Sequence, residues 1–414
     1  MPKTEKKNSR RTFLKTVGAI GTGSMFASLA PLAGASEPNS IKSSDSVTIP
    51  TRPFGKTGAN VSILALGGVL NMSDQLIFRQ ALKLGITYWD TADGYGWGKN
   101  EKAIGKYFAK FPEDRKQVFL VTKGATSDPD ELTEKLKTSL QRMNTSYVDM
   151  YFIHYVKDVK DELTNDVKAW AEKAKAAGKI RFFGFSAHKN MENSMLEASK
   201  LGWIDGIMMS YNYRLMVKDN MKRAVDACVK AGIGLTAMKT QAAFTANLYA
   251  SIGSETDHAM KMTERFLEKG YTAEQAKLKV VWENLNISSI CSAMPNMTIL
   301  QANVAAALNK KTLSFRDKQL LFQYAGQTSS GYCAGCANIC ESAVGFRVPI
   351  SDILRYSMYN YSYGDQDTAR RLFKALPEES KKNILKTDYS KAEAFCPQQI
   401  QIGKVLKEAH ETLS

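Results

Sequence analysis

Between residues 63 and 308, short apolar runs alternate with amphipathic helical patterns, and this alternation limits the possible folds more than any other feature. Eight runs are typical of strands: Ile63 to Leu66, Ile86 to Trp89, Val118 to Thr122, Val148 to Ile153, Ile180 to Phe185, Gly206 to Ser210, Ile233 to Met238 and Ser288 to Ser292. Helical patterns include Asp74 to Leu84, Asp130 to Arg142, Leu163 to Ala176, Lys218 to Lys230 and Met297 to Leu308. Eight such units predict an α/β fold, a (β/α)8 TIM barrel.

A doubly wound open sheet is the alternative to the barrel. Its dinucleotide-binding form opens the first helix with Gly-x-Gly-x-x-Gly, but here Gly67-Gly68 is followed by Val-Leu-Asn. An apolar content of 44% and a charged content of 23% allow a large core. We therefore divide the chain into an export signal (1–35), a Ser-rich linker (36–48), the barrel (49–312) and an appended, mainly helical cysteine module (313–414).

The N-terminus has the order of a cationic head, an uncharged middle and a small-residue cleavage site. Arg10-Arg11 lies in the head, residues 16–35 carry no charge, and the stretch ends in Ala33-Gly34-Ala35. It resembles a twin-arginine signal peptide, which implies passage through the twin-arginine export machinery to the periplasm. Glycines interrupt the middle, and no other run reaches the ~18 apolar residues of a span, so we expect no permanent membrane anchor.

The net charge of +15 falls to +10 without the first 35 residues, which hold six cations and one anion. The remaining surplus is spread over single lysines rather than gathered in a block. This pattern is typical of a solvated surface, and we expect no nucleic-acid partner.

Four residues that can handle protons follow successive predicted strands: Asp90, Tyr95, Lys123 and His154. The carboxyl ends of parallel barrel strands open onto one face, so these side chains are expected to converge. A neighbouring ammonium would lower the phenol pKa from its reference of ~10, Asp90 would hold Lys123, and an imidazole could orient a carbonyl. Taken singly, each residue also has a purely structural interpretation: Asp90 as a helix cap, Tyr95 as a loop aromatic, Lys123 as a surface lysine and His154 as a buried histidine.

Together with their flanking motifs, these residues resemble the aldo/keto reductase family over roughly Thr51 to Leu308. The matching stretches are Arg52-Pro53-Phe54-Gly55-Lys56-Thr57-Gly58, Leu66-Gly67, Asp90-Thr91-Ala92, Tyr95-Gly96, Thr122-Lys123, Ser146-Tyr147-Val148-Asp149, Gly178-Lys179-Ile180-Arg181, Gly184-Phe185-Ser186 and Tyr211-Asn212. The resemblance implies a catalytic tetrad of Asp90, Tyr95, Lys123 and His154, with Tyr95 as proton donor. It also implies hydride transfer between NAD(P)H and a small carbonyl or alcohol substrate, with Ser186 near the nicotinamide carboxamide and Asn303 near the adenine.

Several departures from the family pattern affect the cofactor site. Ala187-His188 replaces a usual asparagine, Met208 a glutamine and Met238 a stacking tyrosine. Ala293 and Ile299 stand where NADPH-preferring members carry Lys and Arg, so a 2′-phosphate would lack charged partners. Three possibilities stay open: NADH, NADP held by other groups, or loss of cofactor binding. His188 could contact the substrate or cofactor, or merely begin a helix.

The last hundred residues hold Cys333, Cys336, Cys340 and Cys396-Pro397. A close cysteine triplet and a distant Cys-Pro can direct four thiolates to one centre, which indicates a 4Fe-4S cluster. The arrangement resembles the branch of the family with a ferredoxin-like C-terminal extension, although the second gap is one residue longer than usual. Disulfides and zinc are the alternatives. Cys228 and Cys291 are expected to be core thiols.

The sequence thus predicts an exported oxidoreductase whose cluster could serve an electron-transfer partner. The competing class is an accessory protein that keeps the barrel but has lost nicotinamide turnover, with a disulfide-stapled module. Substrate identity would depend on the strand-to-helix loops, above all residues 240–258.

Overall fold

The computed structural model describes residues 48–68, 74–245, 262 and 264–414. The predicted export signal (1–35) and residues 36–47 of the predicted linker lie outside the described residues. In the described part of the chain, no helix is both long enough and apolar enough to cross a membrane.

Eight parallel strands form a closed barrel, which confirms the predicted fold and excludes the open sheet. A hairpin of β1 (Thr51–Pro53) and β2 (Asn60–Ser62) precedes it. The barrel strands are β3 (Leu64–Gly67), β4 (Tyr88–Asp90), β5 (Phe119–Gly124), β6 (Val148–Ile153), β7 (Ile180–Ala187), β8 (Gly206–Ser210), β9 (Gly234–Met238) and β10 (Ser289–Ala293). Strands β10 and β3 pair in register, Ile290 opposite Leu64, and so close the sheet.

Helices surround the barrel. They are α1 (Gln75–Lys83), α2 (Lys99–Lys110), α3 (Pro129–Arg142), α4 (Val159–Glu162), α5 (Asn165–Ala176), α6 (Met191–Ala198), α7 (Asp219–Lys230), α8 (Ala273–Trp282) and α9 (Met297–Leu308), and residues 264–268 are also helical. Side-chain caps fix several helix starts, as where Asp128 accepts hydrogen bonds from the N–H groups of Asp130 and Glu131 before α3.

The N-terminal hairpin closes the bottom of the barrel, opposite the carboxyl ends of the strands. Phe54 follows β1 and is fully buried, edge to face with Tyr88 at 6.2 Å between ring centroids. Its ring lies so close to β8 and β9 that a Cβ on Gly206 or Gly234 would come within 2.6 to 2.8 Å of it. Glycine is therefore required at these strand positions by close packing.

The C-terminal residues form a helical region with a second apolar core. Helix α10 (Phe315–Gln327) contributes the buried Leu321 to the barrel core. It is followed by α11 (Ala337–Ala343), α12 (Ile350–Tyr361), α13 (Gln366–Lys374), α14 (Glu378–Ile384), α15 (Ser390–Phe395) and α16 (Ile402–Leu413). Residues from Cys340 to Leu413 build the second core, which confirms the predicted helical appendage.

Candidate active site

The four predicted proton-handling residues meet at the carboxyl end of the barrel strands. Asp90 is the last residue of β4, Lys123 lies near the end of β5, and His154 follows the last residue of β6. Tyr95 begins a short 3-10 turn, Tyr95–Gly98, after β4. Each strand end thus delivers one functional group to the same mouth.

Lys123 is the centre of this group and is fully buried. Its Nζ lies 2.6 Å from Asp90 Oδ1, and it donates hydrogen bonds to Asp90 Oδ2 at 2.8 Å and to the Thr91 carbonyl oxygen at 2.7 Å. The same Nζ lies 3.5 Å from the Tyr95 hydroxyl and 4.8 Å from the centre of its ring. The ammonium is therefore fixed by Asp90 and faces the phenol.

Aromatic contacts fix the other two members of the group. The rings of Tyr95 and His154 meet edge to face, with centroids 5.6 Å apart, and His154 stacks on Tyr155 with centroids 3.5 Å apart. After Tyr95, residues Gly96, Trp97 and Gly98 all have positive φ (54°, 60° and 78°). Trp97 is the uncommon case, since a bulky residue rarely adopts this left-handed backbone conformation.

The electrostatics of the mouth differ from the sequence prediction at Tyr95. Burial, together with the charge of Asp90, raises the pKa of Tyr95 well above its usual value. The expectation that an ammonium lowers this pKa is wrong, because burial and the charge of Asp90 dominate and the positive charge of Lys123 is compensated by Asp90. Burial and the nearby cation Lys123 lower the pKa of His154 well below its usual value. At neutral pH the phenol is protonated and the imidazole is neutral.

A cavity of about 470 Å³ extends from this group toward helix α9. Its inner end is lined by Asp90, Tyr95, Met208 and Met238, and its outer end by Pro295, Ile299 and Asn303. Cys291 also lines it, and burial and Asp90 raise the pKa of this thiol well above its usual value. The expectation of a core thiol is confirmed for Cys228, which is fully buried, whereas Cys291 packs against the core inside the barrel and also lines the cavity.

The two predicted cofactor contacts occupy different places. Asn303 lines the cavity, and its amide donates a hydrogen bond to Ser292 Oγ at 3.0 Å. Ser186 is buried at the end of β7, where its hydroxyl accepts a hydrogen bond from the Tyr155 N–H at 3.3 Å. Within the described residues, the buried Thr240 hydroxyl in the cavity wall has no hydrogen-bond partner. A polar ligand in the cavity would satisfy it.

The C-terminal region supplies part of the cavity wall, which the sequence patterns did not reveal. Tyr359 and Ser362, at the end of α12, and Tyr363 beyond it face the same space as Tyr95. The rings of Tyr359 and Tyr363 are stacked, with centroids 5.6 Å apart. No local signal marks these residues, because only the packing of α12 against the barrel brings them to the mouth.

A pair of partly buried basic side chains, Lys239 and His188, lies beside the group and was only partly anticipated. Lys239 follows β9, lines the cavity, and its Nζ lies 2.7 Å from His188 Nδ1. Its backbone is held at φ 55°, and its carbonyl oxygen accepts a hydrogen bond from the Asn212 side chain. The sequence signal available was its position just after a barrel strand, the rule that identified the other four residues.

The four C-terminal cysteines line one small cavity together with apolar side chains such as Leu354 and Ile402. Burial raises the pKa of Cys333 to about 11 and that of Cys336 to about 12. None of the six cysteines forms a disulfide. In the described part of the chain, no three or more His, Cys, Asp or Glu side chains are arranged to hold a single metal ion.

Comparisons with known proteins agree with this geometry. The model of the aldo/keto reductase family matches residues 68–294, more than half of the chain. The uncharacterized oxidoreductase YrpG of Bacillus subtilis is 29% identical over 212 residues, which are 44% of this chain and 64% of that protein. Aldo-keto reductase yakc [NADP(+)] of Schizosaccharomyces pombe is 28% identical over 177 residues, covering 40% of this chain and 50% of that protein. The chain thus spans half to about two thirds of the length of these curated relatives.

Solved structures show the same fold. An aldo-keto reductase from Bacillus halodurans in its holo form gives a TM-score of 0.54 at 21% identity, covering 70% of this chain and 98% of that one. A thermostable aldo-keto reductase bound to the inhibitor epalrestat gives 0.52 at 24% identity, covering 67% of this chain and all of that one.

Proposed function

Because the chain belongs to the aldo/keto reductase family, we propose that it is an oxidoreductase that interconverts a small carbonyl compound and its alcohol. The observation that supports this most directly is the Asp90–Lys123–Tyr95 arrangement, with Lys123 Nζ 2.6 Å from Asp90 and 3.5 Å from the phenol at the cavity. The active sites of TIM-barrel enzymes lie at this face.

Tyr95 acts as the proton donor in the reduction. Its raised pKa keeps the hydroxyl protonated at neutral pH, so it can donate a hydrogen bond to the carbonyl oxygen and then transfer its proton as negative charge develops there. The phenolate that remains faces the fully buried ammonium of Lys123, which stabilises it at short range. Asp90 keeps that ammonium in place.

His154 orients the carbonyl. Because its imidazole is neutral, one ring nitrogen can donate a hydrogen bond to the same oxygen without competing with Tyr95 as an acid. The stacked Tyr155 ring and the edge of Tyr95 prevent the imidazole from turning away. Two fixed donors then define one position for the reacting oxygen.

The cavity-lining residues that would hold a nicotinamide dinucleotide are Met208, Met238 and Asn303, together with the Thr240 hydroxyl, which has no hydrogen-bond partner among the described residues. When bound, the dinucleotide would supply the hydride. Ala293 and Ile299 offer no charge to a 2′-phosphate. The name of the fission yeast relative includes NADP(+), but this wall leads us to expect NADH to bind here at least as tightly as NADPH.

The proposal is tested by titrating the purified full-length chain with NADH and NADPH and following nucleotide oxidation with a panel of aldehydes and ketones. We expect saturable nucleotide binding and carbonyl-dependent turnover. If neither nucleotide binds and no carbonyl is reduced, the chain belongs to the competing class, an accessory protein with an inactive barrel.

We propose further that Cys333, Cys336, Cys340 and Cys396 hold a 4Fe-4S cluster, which supplies one-electron transfer when bound. What supports this is that all four thiols line one small apolar cavity. A four-iron core is wider than one ion, so its ligands can stand further apart than those of a single metal. Burial raises the pKa values of Cys333 and Cys336, so these two thiols would stay protonated unless iron replaced the protons.

Protein made under anaerobic conditions should contain about four irons and four acid-labile sulfides per chain. Cys336→Ser should lose most of this iron, and Cys228→Ser, which removes a buried thiol of helix α7, should keep it. If the protein contains zinc without sulfide, or if thiol titration shows two disulfides, the cluster proposal is wrong and the corresponding alternative holds.

Residues 1–35 are proposed to direct folded, loaded protein through the twin-arginine pathway to the periplasm. Support comes from the Arg10-Arg11 head and the small-residue end of the uncharged stretch. A reporter fused after residue 48 should be exported, and replacement of both arginines by lysine should retain it inside the cell. Export that is independent of the two arginines would contradict this proposal.

A further inference from the structure

The strongest unused feature of the molecule is the surplus of positive charge around the mouth. Four cations act on His154, namely Lys123, Arg355, Lys239 and Arg371. They come from β5, the end of β9 and two helices of the C-terminal region, so the charge is assembled by tertiary packing. Clefts with one sign of charge concentrate ligands of the opposite sign.

Two of these cations are already compensated. Lys123 is paired with Asp90, and Arg355 with Asp352 at 2.8 Å. Asp352 also binds Lys189, Asp93 binds Lys135, and Glu274, which lines the cavity, binds Lys277. None of these four carboxylates forms an ion pair with either of the remaining two cations.

Lys239 and Arg371 form no ion pair within residues 48–68, 74–245, 262 and 264–414. The Lys239 ammonium lies against a neutral imidazole and 5.6 Å from the Tyr359 ring centre, and it faces the cavity that Tyr95 lines. Arg371 lies 5.0 Å over the exposed ring of Trp97, two residues after Tyr95 in the chain. One cation without an ion pair thus lines the cavity, and the other lies beside the turn that begins at Tyr95.

The state of Lys239 agrees with a missing anion. Burial, and then the charge of Arg355, lower the pKa of Lys239 well below its usual value. An incoming anion would reverse this, because an opposite charge at close range favours the ammonium form. Around it, Tyr359, Tyr363 and Met238 make an apolar wall, where such an interaction is screened weakly.

We propose that the carbonyl substrate carries an anionic group, a carboxylate or phosphate, which Lys239 binds within the cavity and which Arg371 attracts from its position beside the Tyr95 turn. This inference rests on the proposed reductase function and specifies its substrate class as oxo acids and carbonyl phosphates. The C-terminal region, which contributes Arg371 and the two tyrosines, then determines substrate choice rather than only covering the barrel.

The test compares each anionic aldehyde with a neutral analogue: 4-oxobutanoate with butanal, 4-carboxybenzaldehyde with methyl 4-formylbenzoate, and glyceraldehyde 3-phosphate with glyceraldehyde. We expect kcat/KM for at least one anionic member to exceed that of its neutral partner at least tenfold, as for one charge-assisted hydrogen bond. The ratio should fall as salt is raised. The first two pairs report on carboxylates and the third on phosphates.

Variants separate the two cations from a general charge effect. In Lys239→Met the anion-to-neutral ratio should fall to about one, and in Arg371→Met it should fall several-fold. Lys137→Met removes the same charge from an exposed lysine of helix α3 and should keep the wild-type ratio. The ratio is taken within each variant, so general damage to turnover cancels. Equal kcat/KM values within all three wild-type pairs would overturn the proposal.

Calorimetry distinguishes this proposal from the reductase function itself. The full-length protein is titrated with the alcohols 4-hydroxybutanoate and 1-butanol. We expect the anion to bind at least about tenfold more tightly than 1-butanol, and Lys239→Met to remove that difference. If no aldehyde is reduced but this Lys239-dependent binding is seen, the reductase function fails and the anion site stands. Equal binding of the two alcohols, no binding of 4-hydroxybutanoate, or binding of 4-hydroxybutanoate that Lys239→Met does not weaken contradicts the assignment of Lys239.

Discussion

Replacement of Lys123 by methionine is the perturbation whose consequence follows most directly from the structure. The exposed fractions of the Lys123 and Asp90 side chains are only 1% and 3%, so solvent screens their interaction little. Methionine keeps the approximate length of the side chain but leaves the Asp90 carboxylate without its cation. Removal of one partner of such a pair costs about 3 to 5 kcal/mol, and we expect a loss of this size for Lys123→Met at pH 8.

The loss should depend on pH in a defined direction. Burial raises the pKa of Asp90, and Lys123 opposes this. Without the lysine the pKa of Asp90 should rise further, so the folded variant holds a proton on Asp90 up to a higher pH than folded wild type does, whereas the unfolded chain releases it above about pH 3.9. Stability of the variant is then lost as pH rises, by up to about 1.4 kcal/mol per pH unit relative to wild type. The cost at pH 5 should be smaller than at pH 8.

Urea denaturation at both pH values measures these free energies, with Asp90→Asn/Lys123→Met as the matched double variant. Because the double variant buries no charge, it should recover at least half of the loss and show no added pH dependence. A Lys123→Met variant that loses less than about 1 kcal/mol, equally at both pH values, would show that the two groups do not form a buried ion pair.

Two other perturbations test the packing and charge of the barrel. Because the pKa of His154 is lowered in the folded protein, the unfolded chain takes up a proton below about pH 6.5 and the folded chain does not, so wild-type stability falls toward pH 5. In urea denaturation, His154→Asn should reduce this dependence of stability on pH by about 1.4 kcal/mol per pH unit. An unchanged dependence would contradict a neutral buried imidazole. Gly184→Ala would place a Cβ 1.8 Å from the Gly206 carbonyl oxygen, so we expect a loss of about 3 kcal/mol or more by thermal denaturation. The control is Gly326→Ala in helix α10, where the added Cβ would meet no atom within 4 Å, so this variant should gain about 0.5 to 1 kcal/mol of stability. Similar effects at both glycines would refute the close approach of β7 and β8.

The barrel could be predicted from the sequence because the spacing of apolar residues along a segment indicates whether that segment is a strand or a helix. The strands Val148–Ile153 and Gly206–Ser210 and the helix Met297–Leu308 have the predicted bounds. Once the strands are parallel, their carboxyl ends must share a face, and this geometry alone places Asp90 and Lys123 together.

The features that the sequence did not reveal depend on long-range packing. The strands of the β1–β2 hairpin have three residues each, too few for a periodic pattern. Tyr359 comes to the cavity only because helix α12 lies over the mouth. The direction of the Tyr95 pKa shift was missed because it depends on how deeply the phenol is buried and on the pairing of Lys123, and neither can be derived from spacing along the chain.

The most direct test of Tyr95 as the proton donor is the turnover of Tyr95→Phe with saturating nucleotide and carbonyl substrate. The substitution removes one oxygen atom and leaves the ring contact with His154 in place. We expect kcat to fall about 10²- to 10⁴-fold, with nucleotide affinity and thermal stability close to wild type. A variant that keeps a third or more of the wild-type kcat would contradict the role of Tyr95, and with it the mechanism proposed for this barrel.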